Sequence, residues 1–155
     1  ISKEDYSWTR PNKRYLAAGF YMPSLYSENM GDIVVGIDTS GSIDKETLDT
    51  FAAEVKAIVA TVRPNTTHVV YCDAEVNHVD TFSPNDELTF EMHGGGGTCF
   101  TPVAEYISDN LLRPECVVYL TDGYGGYPEP QEQPWLWCMT SDVVAPFGET
   151  IKIKT

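Results

Sequence analysis

Basic residues are scarce in this chain. Ten Lys and Arg stand against 23 Asp and Glu, for a formal net charge of −13. A surface that acidic repels a phosphate backbone and argues against nucleic acid as a partner. It suits cations and basic protein surfaces, although a plain solvating surface would carry the same charge. No apolar run is long enough to span a bilayer and no signal-peptide pattern is present, so no membrane contact is expected. Cysteines occur only at 72, 99, 116 and 138, with no CxxC pair. A zinc site would need closer spacing or histidine partners. His68, His78 and His93 are scattered, and no H-E-x-x-H is present. Free, mostly buried thiols in a reducing cytosol are therefore expected, which places the chain in the cytoplasm. Repeats and long linkers are also absent.

Aromatics are plentiful, with nine Tyr, six Phe and three Trp, which excludes disorder. A length of 155 residues favours one domain with a real core. The first residue is Ile1, not Met, which suggests a piece of a longer protein. Residues 1–31 mix Trp8, Tyr15, Phe20, Tyr21 and Tyr26 with bases, prolines and glycines. They are expected to form an ordered, irregular lead-in packed on a domain of residues 32–155.

The domain alternates strands and helices. Ile33-Val34-Val35-Gly36-Ile37 is a β-branched run of the kind that forms a buried parallel strand, ending near Asp38. Leu48, Phe51, Ala52, Val55, Ile58, Val59 and Val62 step by three and four, which predicts a helix from Asp44 to Val62. Thr67–Asp73 and Val76–Phe82 read as a hairpin whose second strand is an antiparallel edge. Leu88–Met92 alternates weakly and reads as extended. A second helix is expected to about Leu112, with Thr101 as cap and Pro102 first in the helix. Cys116–Leu120, Trp135–Met139 and Thr150–Lys154 complete the strands, with one helical turn expected within Ser141–Gly148. The pattern predicts an α/β three-layer sandwich: a mainly parallel twisted sheet, helices on both faces and one antiparallel edge strand.

Oxygen side chains collect at the strand ends. Asp38-Thr39-Ser40-Gly41-Ser42 follows the first strand, Thr98 follows Gly94–Gly97, and Asp122 lies in Thr121-Asp122-Gly123. Ligands in open α/β sheets bind at such loops. Two carboxylates and three hydroxyls form a hard-oxygen set suited to Mg²⁺ or Mn²⁺, or to Ca²⁺, and not to zinc. Taken singly, Asp38 and Asp122 could each cap a turn, and Thr101 is a better helix cap than ligand. Asp73 reads first as a hairpin-turn acid and second as a group on the site rim. Cys99 lacks an activating partner unless His93 reaches it, so it reads as a small packed thiol. Tyr124, Tyr127, Trp135 and Trp137 could form an aromatic binding rim, with one of the two Trp in the core.

Asp38-x-Ser40-x-Ser42, Gly97-Thr98 and Thr121-Asp122-Gly123 resemble the metal-ion-dependent adhesion site of von Willebrand factor A domains. The resemblance covers about residues 32–155. It implies Ser40, Ser42 and Thr98 as direct metal ligands, with Asp38 and Asp122 acting directly or through water. It also implies a magnesium-bridged module that grips an Asp or Glu of a protein partner. More narrowly, Asp5-Tyr6-Ser7-Trp8-Thr9-Arg10-Pro11-Asn12, Cys72-Asp73-Ala74-Glu75-Val76, Pro134-Trp135-Leu136-Trp137 and Pro146-Phe147-Gly148 resemble a bacterial and phage family of proposed metallopeptidases. Members carry such a domain at the C-terminus, and the peptidase part would precede Ile1. The resemblance therefore implies two partners, the parent's own peptidase region or an AAA+ ATPase. The competing reading is a metal-dependent hydrolase with Asp73 as general base. Two departures stand out: the segment before the glycine run is too short for the helix found there in many such domains, and the C-terminal helix is reduced to a turn.

Overall fold

The computed structural model describes residues 31–41, 43–91 and 95–153. Residues 1–30 of the expected lead-in, together with Ser42 and His93, lie outside the described residues.

Six strands form one sheet: β1 (Ile33–Asp38), β2 (Thr67–Cys72), β3 (Val76–Phe82), β4 (Cys116–Thr121), β5 (Trp135–Met139) and β6 (Glu149–Lys152). Among the described residues the helices are α1 (Lys45–Val62) and α2 (Thr101–Asp109). The strand order is β3-β2-β1-β4-β5-β6. All neighbours run parallel except β2 and β3, so β3 is the antiparallel edge the sequence predicts.

Both faces of the sheet are buried, which is why the strands read as continuous apolar runs. On one face Ile33, Val35, Ile37, Val69, Val118 and Leu120 meet Leu48, Phe51, Val55 and Ile58 of α1. On the other, Val34, Val70, Val117, Tyr119, Trp135 and Trp137 meet Val103, Ala104 and Ile107 of α2. α1 on one face and α2 on the other give the three layers. The side chain of Asp44 caps α1 by accepting the Thr47 N–H at 2.8 Å. Arg63 ends it in the left-handed region, and its N–H reaches the Val59 carbonyl at 2.9 Å.

Several local expectations are corrected. Thr101 is the first residue of α2 and not its cap; Phe100 holds the cap position without a side-chain cap bond. The Phe100 N–H donates instead to the Gly126 carbonyl at 2.7 Å, so a tertiary contact sets where the helix begins. α2 stops at Asp109 because Leu111 turns left-handed, φ 54°. Residues 88–91 form no strand; Leu88 is simply buried beneath the α1 face. Residues 141–148 form no helical turn, because the Thr150 hydroxyl takes the Ala145 N–H and the Ser141 hydroxyl the Val143 N–H. Trp135 and Trp137 share one face as residues i and i+2, and both are buried. That removes them from the expected rim. Tyr127 is also packed inward, against Phe100 and Trp137.

All four cysteines are free, and three of them, Cys72, Cys116 and Cys138, are buried. Burial pushes the Cys72 and Cys116 thiols up to about 12 and raises that of Cys138 as well. Among the described residues, no helix is long and apolar enough to cross a membrane.

Candidate metal centre

The chain from β1 goes by α1 to β2 on one side of the sheet. β4, on the other flank of β1, leads away to β5. The strand order thus reverses between β1 and β4, which opens a crevice at their carboxyl ends. Asp38 ends β1, and Asp122 directly follows β4.

Backbone hydrogen bonds stitch three loops around that crevice. The Gly41 N–H donates to the Gly96 carbonyl at 3.2 Å, joining the loop after β1 to the glycine run. Cys99 pairs with Gly126, joining the glycine run to the loop after β4. Thr98 lies between these two ties. A Cβ placed on Gly125 would meet the Thr98 methyl at 2.6 Å, so the two backbones approach closely there. Asp38, Ser40, Thr98 and Asp122 are therefore gathered at one end of the sheet.

Asp38 is fully buried. Its Oδ1 accepts the Ser40 N–H at 2.8 Å, and its Oδ2 accepts the Thr121 hydroxyl at 2.5 Å. Burial raises its pKa above the ordinary 3.8, and the like charge of Asp122 adds to the rise. Hydrogen bonds from Thr121 and Ser40 pull it back in part. Asp122 is half-buried; its Oδ1 accepts the Tyr124 N–H at 3.1 Å, and its carbonyl accepts the Ser141 hydroxyl at 2.6 Å. Gly123 then takes φ 89°, a conformation that favours glycine, with its N–H donating to the Thr121 hydroxyl at 3.0 Å.

A buried carboxylate with a second carboxylate in electrostatic range is a donor set that a cation relieves. Ser40 and Thr98 bring hydroxyls on the adjoining loops, and carboxylates with hydroxyls are the donor types a hard cation such as Mg²⁺, Mn²⁺ or Ca²⁺ would take. Among the described residues, no group of three or more His, Cys, Asp and Glu is placed to hold a metal ion.

One participant, Thr121, is not singled out as a site residue by the sequence, and another, Asp73, reads there first as a turn acid and second as a rim group. Thr121 extends the register that places Ile37 opposite Leu120, and so faces Asp38; that register is the signal that could have found it. Asp73 does more than hold a turn. Its Oδ1 accepts the Glu75 N–H at 3.1 Å and its Oδ2 the Gly96 N–H at 3.0 Å. Its burial pushes the pKa up, but bonds from Gly96, Glu75, Asn77 and Ala74 outweigh that and lower it to about 2. The folded value lies below the ordinary 3.8, so this stabilisation is complete above that pH and disappears as pH falls toward 2. Wild type should exceed Asp73→Asn by about 1 kcal/mol at neutral pH, solvent screening reducing the full effect of the shift. Urea denaturation of both proteins should show the gap closing between pH 4 and pH 2, about the span of the shift.

A family model described as VWA-like domain (DUF2201) matches residues 33–154. The chain belongs to the VWA-like domain family. The match covers every strand and helix described above, with the candidate loops inside it. An uncharacterized protein of Thermotoga maritima is similar to this VWA-like domain, with 31% identity over 119 residues, 77% of this chain and 28% of the relative. The chain thus spans less than a third of that relative's length. No solved structure matches the chain.

Proposed function

We propose that this VWA-like domain is a divalent-metal-dependent protein-binding module. The observation that carries the reading is the convergence of buried Asp38 and nearby Asp122 at the switch point, with Ser40 and Thr98 on loops tied to the same crevice. Ser40, Ser42 and Thr98 would hold Mg²⁺ directly, with Asp38 and Asp122 completing the set directly or through water; Mn²⁺ or Ca²⁺ would be held by the same atoms. When bound, Mg²⁺ supplies a coordination position for an Asp or Glu oxygen of a partner. Thr121 and the Ser40 N–H fix both oxygens of Asp38, so the carboxylate is aimed before any ligand arrives. Tyr124, 65% exposed and bonded through its N–H to Asp122, stands at the rim as a contact for the partner's neighbouring residues.

The coverage of the Thermotoga relative supports reading the chain as one part of a larger protein. By the sequence resemblance, that parent is a proposed metallopeptidase of bacterial or phage type in the cytoplasm. The partner is then its peptidase region or an AAA+ ATPase. Hydrolysis at this site itself is disfavoured. Asp73, the base such a reaction would use, has both oxygens engaged by N–H donors and a pKa lowered to about 2, far from a working base.

The test is an NMR titration of the domain with an acidic peptide, run with and without Mg²⁺. The reading predicts amide shifts at Gly41, Gly96 and Tyr124 that require both peptide and metal. Shifts of equal size without Mg²⁺, or none with it, would overturn the reading.

A further inference from the structure

We infer that Asp73 is a positioning residue for the metal centre: from the end of β2 it sets the glycine run, and with it Thr98, against the loop of Asp38. This deepens the metal-site reading and rests on it.

The bonds of Asp73 bracket Thr98 on both sides. Its Oδ2 takes the N–H of Gly96, two residues before Thr98, at 3.0 Å. Its main-chain carbonyl takes the N–H of Cys99, one residue after, at 2.9 Å. Gly96 in turn accepts the Gly41 N–H at 3.2 Å. A continuous path of hydrogen bonds thus runs from β2 through the glycine run to the loop after β1.

A turn role accounts for only half of this carboxylate. Oδ1 serves the hairpin through the Glu75 N–H. Oδ2 points the other way, to a residue 23 positions along the chain. A Cβ on Gly96 would lie 3.0 Å from that oxygen, so the contact is made at a distance only glycine allows without adjustment. Gly95, Gly96 and Gly97 are exposed, with no side chains to bury, and glycine loses the most freedom on being ordered. The loop therefore depends on bonds to its backbone for a fixed shape. Asp73 is itself buried, 8% exposed, and its low pKa keeps it a full acceptor at neutral pH.

The test is calorimetric titration of Mg²⁺ into wild type, Asp73→Ala and Asp73→Asn, with amide hydrogen exchange at Gly96 and Cys99. The expected loss of affinity is roughly tenfold for Asp73→Ala. Asp73→Asn keeps one acceptor and should fall between. Exchange at Gly96 should quicken in both variants. Folded variants that bind Mg²⁺ as wild type does would overturn the inference. If Asp73→Ala does not fold, Asp73→Asn decides by the same criterion. If wild type itself binds no Mg²⁺, the metal-site reading fails. Gly96 exchange then still judges the tether: faster exchange in Asp73→Asn supports it, and unchanged exchange overturns it.

Discussion

Gly36→Val should destabilise the protein by about 3 kcal/mol, and Gly36→Ala by about 2 kcal/mol. Gly36 lies inside β1, opposite Tyr119 of β4. A Cβ there would sit 2.6 Å from Tyr119 Cδ2 and 2.7 Å from Cε2. The ring cannot give way. It stacks on Trp137 at 5.1 Å and meets the edge of Phe100 at 5.0 Å, and it is fully buried. Replacing glycine by alanine also restricts the unfolded chain, a gain of about 0.4–1 kcal/mol, but overpacking outweighs it. Chemical denaturation measures the loss. In the Tyr119→Leu background the cost of Gly36→Ala should shrink by at least half a kcal/mol, roughly the smallest coupling expected of residues in contact. Strict additivity would mean that the clash is not its source.

The second large effect is a change of sign at Asp38. Without metal, Asp38→Asn should raise stability by about 1 kcal/mol, since it removes a buried charge beside Asp122 and keeps an acceptor for the Ser40 N–H. Thr121 can accept from the new amide while still accepting from Gly123. With saturating Mg²⁺ the order should reverse. A ligand at a hundred times its dissociation constant stabilises wild type by about 2.7 kcal/mol, and the variant lacks that gain. Thermal melts of both proteins, with and without Mg²⁺, read all four values. A variant less stable than wild type without metal would show that the carboxylate is held for the fold and not for a cation.

Much of the architecture is written in the chain because both faces of the sheet are covered. Ile33–Ile37, Val117–Leu120 and Trp135–Met139 are apolar without interruption, and only a sheet buried on both sides requires that. α1 is legible from the spacing of Leu48, Phe51, Val55 and Ile58. The misreadings have more than one cause, and contacts distant in sequence account for only some of them. The start of α2 depends on Phe100 meeting Gly126. The segment 141–148 is irregular because Ser141, Asp122 and Thr150 satisfy its neighbourhood. The two Trp looked divisible between core and rim, yet alternation with Leu136 puts both on one face, and that face is covered. For the site, the ends of β1 and β4 were visible as the places where apolar runs stop at Asp38 and Thr121-Asp122. The second role of Asp73 was not, since nothing local links it to Gly96.

In the proposed centre, Asp38, Ser40, Ser42, Thr98 and Asp122 hold a divalent cation. Calorimetric titration of Mg²⁺ into wild type, Asp38→Ala and Thr98→Ala tests it most directly. The account predicts saturable binding to wild type and at least a roughly tenfold loss in each variant, about 1.4 kcal/mol or more. Equal binding in all three folded proteins, or none to wild type, would contradict it.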